Sequence, residues 1–301
     1  MTAQGWTEAF FPCQEKKMIP SQFEYFRPGT LPEALSILAE HQDNAKVLAG
    51  GQSLISVLKL RLANPKCLVD IGALGGLSYI REESDQKIAI GAMTTYAEIQ
   101  ASKLLQSDCP LLPRASAVVG DVQVRNRGTI GGSIAHADPA GDLPAAVLAL
   151  NGELKVVGPK GERWIQVGEF FQGLYATALE PDEILTEIRV PRITGYKSAY
   201  LKMARRPSDF AIVGVAVCLK VGADQKCEQI GIGVTGVTDK PYRAEAVEAR
   251  LQGKKLDAKT VQEAAPLVTE GVDVVGNIHA SPEFRAHLAQ VYLARTIRAA
   301  T

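Results

Sequence analysis

Two short glycine loops, about 80 residues apart, constrain this chain more than any other feature. The first is Ala49-Gly50-Gly51-Gln52-Ser53 and the second is Thr129-Ile130-Gly131-Gly132-Ser133. The apolar run Val47-Leu48 leads into the first loop, and Leu54 to Leu62 leaves it with helical spacing. That pattern predicts strand, loop, helix. Glycine permits positive φ and lets backbone N–H groups approach a ligand closely. A helix N-terminus adds unpaired N–H donors and partial positive charge. The combination suits a diphosphate. It predicts that both loops close on one such group, with Gly131 at positive φ. A single Gly-Gly pair is most often only a tight turn; two with the same layout are better explained by a shared ligand. Neither loop is GxGxxG and neither carries the Lys of a Walker A loop, which disfavours a Rossmann or P-loop reading.

The rest of the chain reads as two or three domains, which its 301 residues accommodate. Residues 1–17 read as an extension: Ala9-Phe10-Phe11 is cut short by Pro12 and is too brief for a secretion signal. Thr30 and Glu33, and again Thr95 and Glu98, have capping-box spacing before predicted helices. Gly158-Pro159-Lys160-Gly161 between two strand-like runs predicts a hairpin. Residues 1–190 hold 17 Lys+Arg and 22 Asp+Glu, whereas residues 191–301 hold 16 and 11. This shift marks a boundary near Pro191. Beyond it come three strand-like runs, Ser198 to Met203, Ile212 to Lys220 and Ile230 to Thr235, then helices ending in Pro282 to Ala300. Strands followed by helices predict a separate α+β domain with a three-stranded sheet.

Several functions are disfavoured. The net charge is 0, unlike the basic balance of most nucleic-acid binders. No apolar run reaches the roughly 18 residues of a membrane span. The five cysteines are scattered without a CxxC pair, so no zinc site, iron–sulfur cluster or disulfide framework is predicted, and a cytoplasmic setting is the simplest. His136, Asp138 and Asp142 are read as turn residues, with Asp142 capping the helix that starts at Leu143. Arg125 with Arg127, and Arg205 with Arg206, are candidate anion-positioning pairs or solvent-facing charge. There is no hydrolase triad and no metal-ligand set, so no catalytic residue is assigned. Chemistry in such a chain has to come from a cofactor.

Ala49–Ser53, the run Arg125-Asn126-Arg127-Gly128-Thr129-Ile130-Gly131-Gly132-Ser133, and Asp138-Pro139 through Asp142-Leu143-Pro144 together resemble the medium, FAD-binding subunit of the molybdenum hydroxylases. The resemblance runs from about Met18 to Arg298. It implies an α+β architecture: the two-subdomain FAD-binding fold of the vanillyl-alcohol oxidase type over residues 18–192 (subdomains about 18–75 and 76–192), then an α+β domain over 193–301. It implies noncovalent FAD with its pyrophosphate held by Ala49, Gly50, Gly51, Gln52 and Ser53 and by Thr129, Ile130, Gly131, Gly132 and Ser133. Val119, Asp142, Leu185 and Lys202 match further flavin-contacting positions. The implied partners are a small subunit with two [2Fe–2S] clusters and a large molybdopterin subunit, in a dimer of heterotrimers. Electrons would pass from the clusters through FAD to an external acceptor. Carbon monoxide dehydrogenases usually carry His where Gln52 stands and Asn where Ser133 stands, so the resemblance is nearer to members acting on aldehydes, purines or N-heterocycles. A stand-alone FAD-dependent oxidoreductase of the same fold is the alternative.

Overall fold

The computed structural model describes residues 18–301, so the predicted N-terminal extension lies outside the described residues. The chain opens with a small parallel sheet in which Cys67–Asp70 lies between Glu24–Phe26 and Ala45–Leu48. Helices Leu31–His41 and Leu54–Lys59 make the crossovers. Thr30 caps the first by accepting from the Glu33 N–H, while Glu33 reaches back to the N–H of Gly29 rather than of Thr30. Ala34, Leu38, Cys67 and Val69 fill the core of this layer.

A five-stranded antiparallel sheet follows, in the order Ile80–Glu82, Lys87–Gly91, Ile184–Pro191, Glu153–Gly158, Gly161–Gln166. The last two strands are the hairpin predicted at Gly158–Gly161. One face carries the polar side chains Glu153, Lys155, Glu187 and Arg189. The other carries Ile88, Ile90, Leu154, Val156 and Ile188 into a core shared with helices Tyr96–Ala101, Leu111–Ala117, Ile130–His136 and Asp142–Ala149. Thr95 and Glu98 form a complete capping box before the first of these.

The last sheet is antiparallel: Lys197–Met203, Val213–Val221, Cys227–Thr235, then Tyr242–Arg243. The expected three strands are present. The fourth is only two residues long, too short to show a period-two pattern. Helix Pro282–Ala300 packs on one face, with its predicted start: Ser281 accepts from the Phe284 N–H and Pro282 opens the helix. Helix Asp142–Ala149 lies on the other face. Its backbone comes unusually close because Gly231 and Gly233 present no side chain there; a Cβ at Gly233 would stand 1.9 Å from Ala145 O. All eight residues of this helix are buried. It therefore belongs to the core of the five-stranded sheet while resting on the C-terminal one.

Candidate functional site

Strand Ala45–Leu48 delivers the chain to the first glycine loop, and helix Leu54–Lys59 carries it away. Gly51 has φ +76°, the left-handed conformation that glycine adopts without strain. Among the described residues, the N–H groups of Gly50, Gly51, Gln52 and Ser53 donate to no protein acceptor. Ser53 adds no side-chain cap to the helix. Unpaired backbone donors are costly unless water or a ligand takes them. Four in succession, in a loop without bulky side chains at its centre, form an anion cradle.

The second loop meets the first directly. A Cβ on Gly50 would stand 2.1 Å from Arg127 O and 3.0 Å from the Gly128 Cα. One on Gly132 would stand 3.6 Å from the Ala49 Cβ. The two loops, distant in sequence, are thus in backbone contact. Their roles differ, however. Thr129 caps helix Ile130–His136 by accepting from the Gly132 N–H. The N–H groups of Ile130, Gly131 and Ser133 go to Thr94 O, Ala92 O and Thr129 O. Four of the five N–H groups of the second loop are thus taken by protein oxygens, whereas the run of free donors is in the first.

Gly131 corrects an expectation. It is helical and is absent from the positive-φ glycines. Its small size serves a close approach instead: a Cβ there would stand 2.4 Å from the Ala92 Cβ. Ile130 is wholly buried in the core behind the loop.

Ser133 leads onward to a buried polar group. Its hydroxyl adjoins Tyr96, whose phenol burial pushes up to about 12, with the Asp142 carboxylate adding to the rise. Asp142 is the second correction. Gly141 is the N-cap, and the Asp142 side chain makes no cap. Its Oδ1 accepts the Tyr200 hydroxyl at 2.5 Å and its Oδ2 accepts Lys202 Nζ at 3.1 Å. The Asp142 and Lys202 side chains are only 5% and 6% exposed. Lys202 Nζ also donates to Asp209 O at 3.1 Å. Burial pushes the Asp142 carboxyl up from its ordinary range, opposed by the Lys202 ammonium and the Tyr200 hydroxyl.

Asp138 does hold a turn, accepting from the Ala140 N–H at 2.8 Å. His136 ends its helix with its ring 5.1 Å from that of Tyr175, and burial pushes its pKa down. Val119 is half-buried; its carbonyl accepts from Arg125, which ties it to the segment before the second loop. Leu185 is a core residue of strand Ile184–Pro191, beside a bulge. Arg127, Arg205 and Arg206 are exposed. Tyr96, Tyr200 and Asp209 were not foreseen. Tyr200 had a signal: two residues from Lys202 in a strand, it faces the same side. A cleft of about 330 Å³ lined by Leu150, Pro191, Tyr196 and Cys218 contains none of the predicted site residues.

No group of three or more His, Cys, Asp or Glu side chains among the described residues could hold a metal ion. Among the described residues no helix is long and apolar enough to cross a membrane. The donor set that is present fits FAD: free N–H groups for a diphosphate in a cradle with two glycines at its centre, and the buried Lys202 ammonium.

Comparison with known proteins agrees with this geometry. Residues 21–193 match the FAD binding domain in molybdopterin dehydrogenase, and residues 198–300 match the CO dehydrogenase flavoprotein C-terminal domain. The glyceraldehyde dehydrogenase medium chain of Sulfolobus acidocaldarius is 39% identical, over 91% of this chain and 96% of its own length. The solved carbon monoxide dehydrogenase from Hydrogenophaga pseudoflava, in a form lacking the Mo-pyranopterin moiety of its molybdenum cofactor, superposes with a TM-score of 0.91 at 38% identity, over 94% of this chain and 98% of that one. Quinoline 2-oxidoreductase from Pseudomonas putida 86 gives 0.87 at 33% identity, over 93% and 97%. The chain belongs to the FAD-binding medium subunits of the molybdenum hydroxylases, and so to a family of oxidoreductase subunits.

Proposed function

We propose that this chain is the electron-transfer subunit of a heterotrimeric molybdenum hydroxylase. It holds FAD noncovalently and relays electrons from a partner's [2Fe–2S] clusters to an external acceptor. The observation that carries the reading is the junction of the two loops: Gly50 seated on the Arg127–Gly128 backbone, beside four unpaired N–H donors. Ala49 to Ser53 bind the diphosphate, and Thr129 to Ser133 form the opposing wall. Val119, Asp142, Leu185 and Lys202 hold the remainder of the cofactor. The FAD-binding part spans residues 18–192 and the C-terminal domain 193–301. Both would be needed, since Asp142 comes from one and Lys202 from the other. When bound, FAD supplies one- and two-electron chemistry, which this chain's own side chains lack.

The complex on this reading contains a small [2Fe–2S] subunit and a large molybdopterin subunit, paired as a dimer of heterotrimers in the cytoplasm. Substrate oxidation occurs on the large subunit. Relatives named as medium chains or subunits support the partnership. Anaerobic bleaching of the flavin spectrum tests it. The lone chain should stay yellow with aldehydes, purines and N-heterocycles, and the three-subunit complex should bleach with its true substrate. Rapid bleaching of the lone chain would instead mean a stand-alone oxidoreductase.

A further inference from the structure

Both oxygens of the Asp142 carboxylate are committed, one to the Tyr200 hydroxyl and one to Lys202 Nζ. The two donors leave strand Lys197–Met203 on one face, two residues apart. The fold makes room for the phenol. Gly214 lies opposite Lys202 in the ladder, and a Cβ on it would stand 2.5 Å from Tyr200 Oη and 2.8 Å from Thr235 Cγ2. The neighbouring strand omits a side chain where Tyr200 passes.

The groups facing Asp142 are few. Tyr200 and Lys202 come from the strand, Asp138 from the preceding turn and Tyr96 from helix Tyr96–Ala101. Asp209 meets Lys202 through its carbonyl, with Arg205 beyond at 3.5 Å from the Asp209 carboxylate. Among the described residues Lys202 is the sole cation paired with Asp142. Burial favours the neutral acid; a cation and a hydrogen-bond donor favour the carboxylate. Tyr200 is that donor.

We propose that Tyr200 is a positioning residue that keeps Asp142 ionised, and so sets whether the Asp142–Lys202 pair presents a net charge of zero or plus one to the flavin. This rests on the flavin site proposed above. With Asp142 ionised the pair is neutral. With Asp142 protonated, the Lys202 charge is uncompensated in a poorly solvated site, where it acts at full strength on a flavin gaining electrons. The flavin potential then rises.

The test is the flavin midpoint potential of the FAD-loaded chain against pH, for wild type, Tyr200→Phe and Asp142→Asn. In Tyr200→Phe the upward step seen on acidification should lie at higher pH than in wild type, or appear where wild type shows none in the accessible range. Asp142→Asn should show only the slope of the flavin's own proton uptake, with no added step, and stay on the high-potential limb. A Tyr200→Phe step at the wild-type pH, no step in either protein, or a step surviving in Asp142→Asn overturns the proposal.

A second measurement needs no cofactor: thermal unfolding of the FAD-free chain against pH. A carboxyl whose folded pKa is raised destabilises the fold above that pKa, and the loss is recovered as pH falls through it. Tyr200→Phe should therefore be less stable than wild type at neutral pH, with the deficit shrinking on acidification. A deficit constant with pH reports lost packing alone and overturns the proposal even if Tyr200→Phe fails to hold FAD. Failure of wild type to bind FAD would sink the flavin reading separately and leave this measurement to judge the Tyr200–Asp142 link.

Discussion

Gly50→Ala is the sharpest test of the cradle. The added methyl would stand 2.1 Å from Arg127 O and 2.9 Å from the Arg127 carbonyl carbon, where ordinary contact begins at 3.4 Å. Both are backbone atoms, so no side chain can rotate away. The two loops must separate by about 1.3 Å at this point. Overpacking of this kind costs about 1–3 kcal/mol. At roughly 2–4 °C per kcal/mol for a chain of this order, the FAD-free protein should melt about 2–12 °C lower. The larger effect is on ligand. A cradle opened by an ångström no longer matches the diphosphate, and a ligand present at ~1,000 times its Kd contributes about 4 kcal/mol of apparent stability. The melting deficit should therefore widen when FAD is added. Gly168→Ala is the control, since a Cβ there meets nothing within 4 Å and its φ is ordinary. Melting curves with and without FAD, together with a flavin-fluorescence titration, read both terms. A Gly50→Ala protein with wild-type FAD affinity would refute the claim that the loops close on the cofactor.

Acid precipitation should release all the flavin into the supernatant, because neither loop offers a His or Cys for attachment; flavin retained on the pellet would contradict this. Thr95→Ala removes the capping box before helix Tyr96–Ala101, where Thr95 accepts from the Glu98 N–H and Glu98 from the Thr95 N–H. It should cost about 1 kcal/mol, a fall of a few degrees in melting temperature read by thermal unfolding.

The parts of this fold that were legible in the sequence are those carried by local patterns. The loops, the Gly158–Gly161 hairpin, the three C-terminal strands and the Ser281-Pro282 helix start each announce themselves within a few residues. The misreadings have one cause, a local rule applied where a distant residue decides. Asp142 has the composition of a cap, yet its partners Tyr200 and Lys202 lie 58 and 60 residues on. Gly131 reads as a conformational glycine, yet it answers to the bulk of Ala92 in a different segment. The second loop reads as a donor of N–H groups, yet Thr94, Ala92 and Thr129 have already taken four of the five. Strand Glu24–Phe26, three residues long and mostly exposed, carries no period by which to find it.

These corrections give the two loops separate tasks. Four of the five N–H groups of the second loop are taken by protein oxygens, which hold its shape without ligand, whereas unpaired donors cannot be buried without a ligand or water. On the proposed reading the first loop would carry most of the cofactor affinity and the second would fix its position. The position is transmitted further by helix Asp142–Ala149. Its N-terminus holds Asp142, while Ala145 and Ala149 further along lie against Gly233 and Gly231 of the C-terminal sheet at backbone distance. A packed interior does not stretch, so an element gripped on both sides fixes the spacing between them. In this way the strand bearing Tyr200 and Lys202 is set at hydrogen-bond distance from Asp142 across the boundary between the two matched domains. The buried ion pair does the rest: separated, each charge would stand alone in a poorly solvated site, at a cost of roughly 3–5 kcal/mol. The domains are locked at the point where the flavin is proposed to lie, and the same pair that locks them sets the charge there.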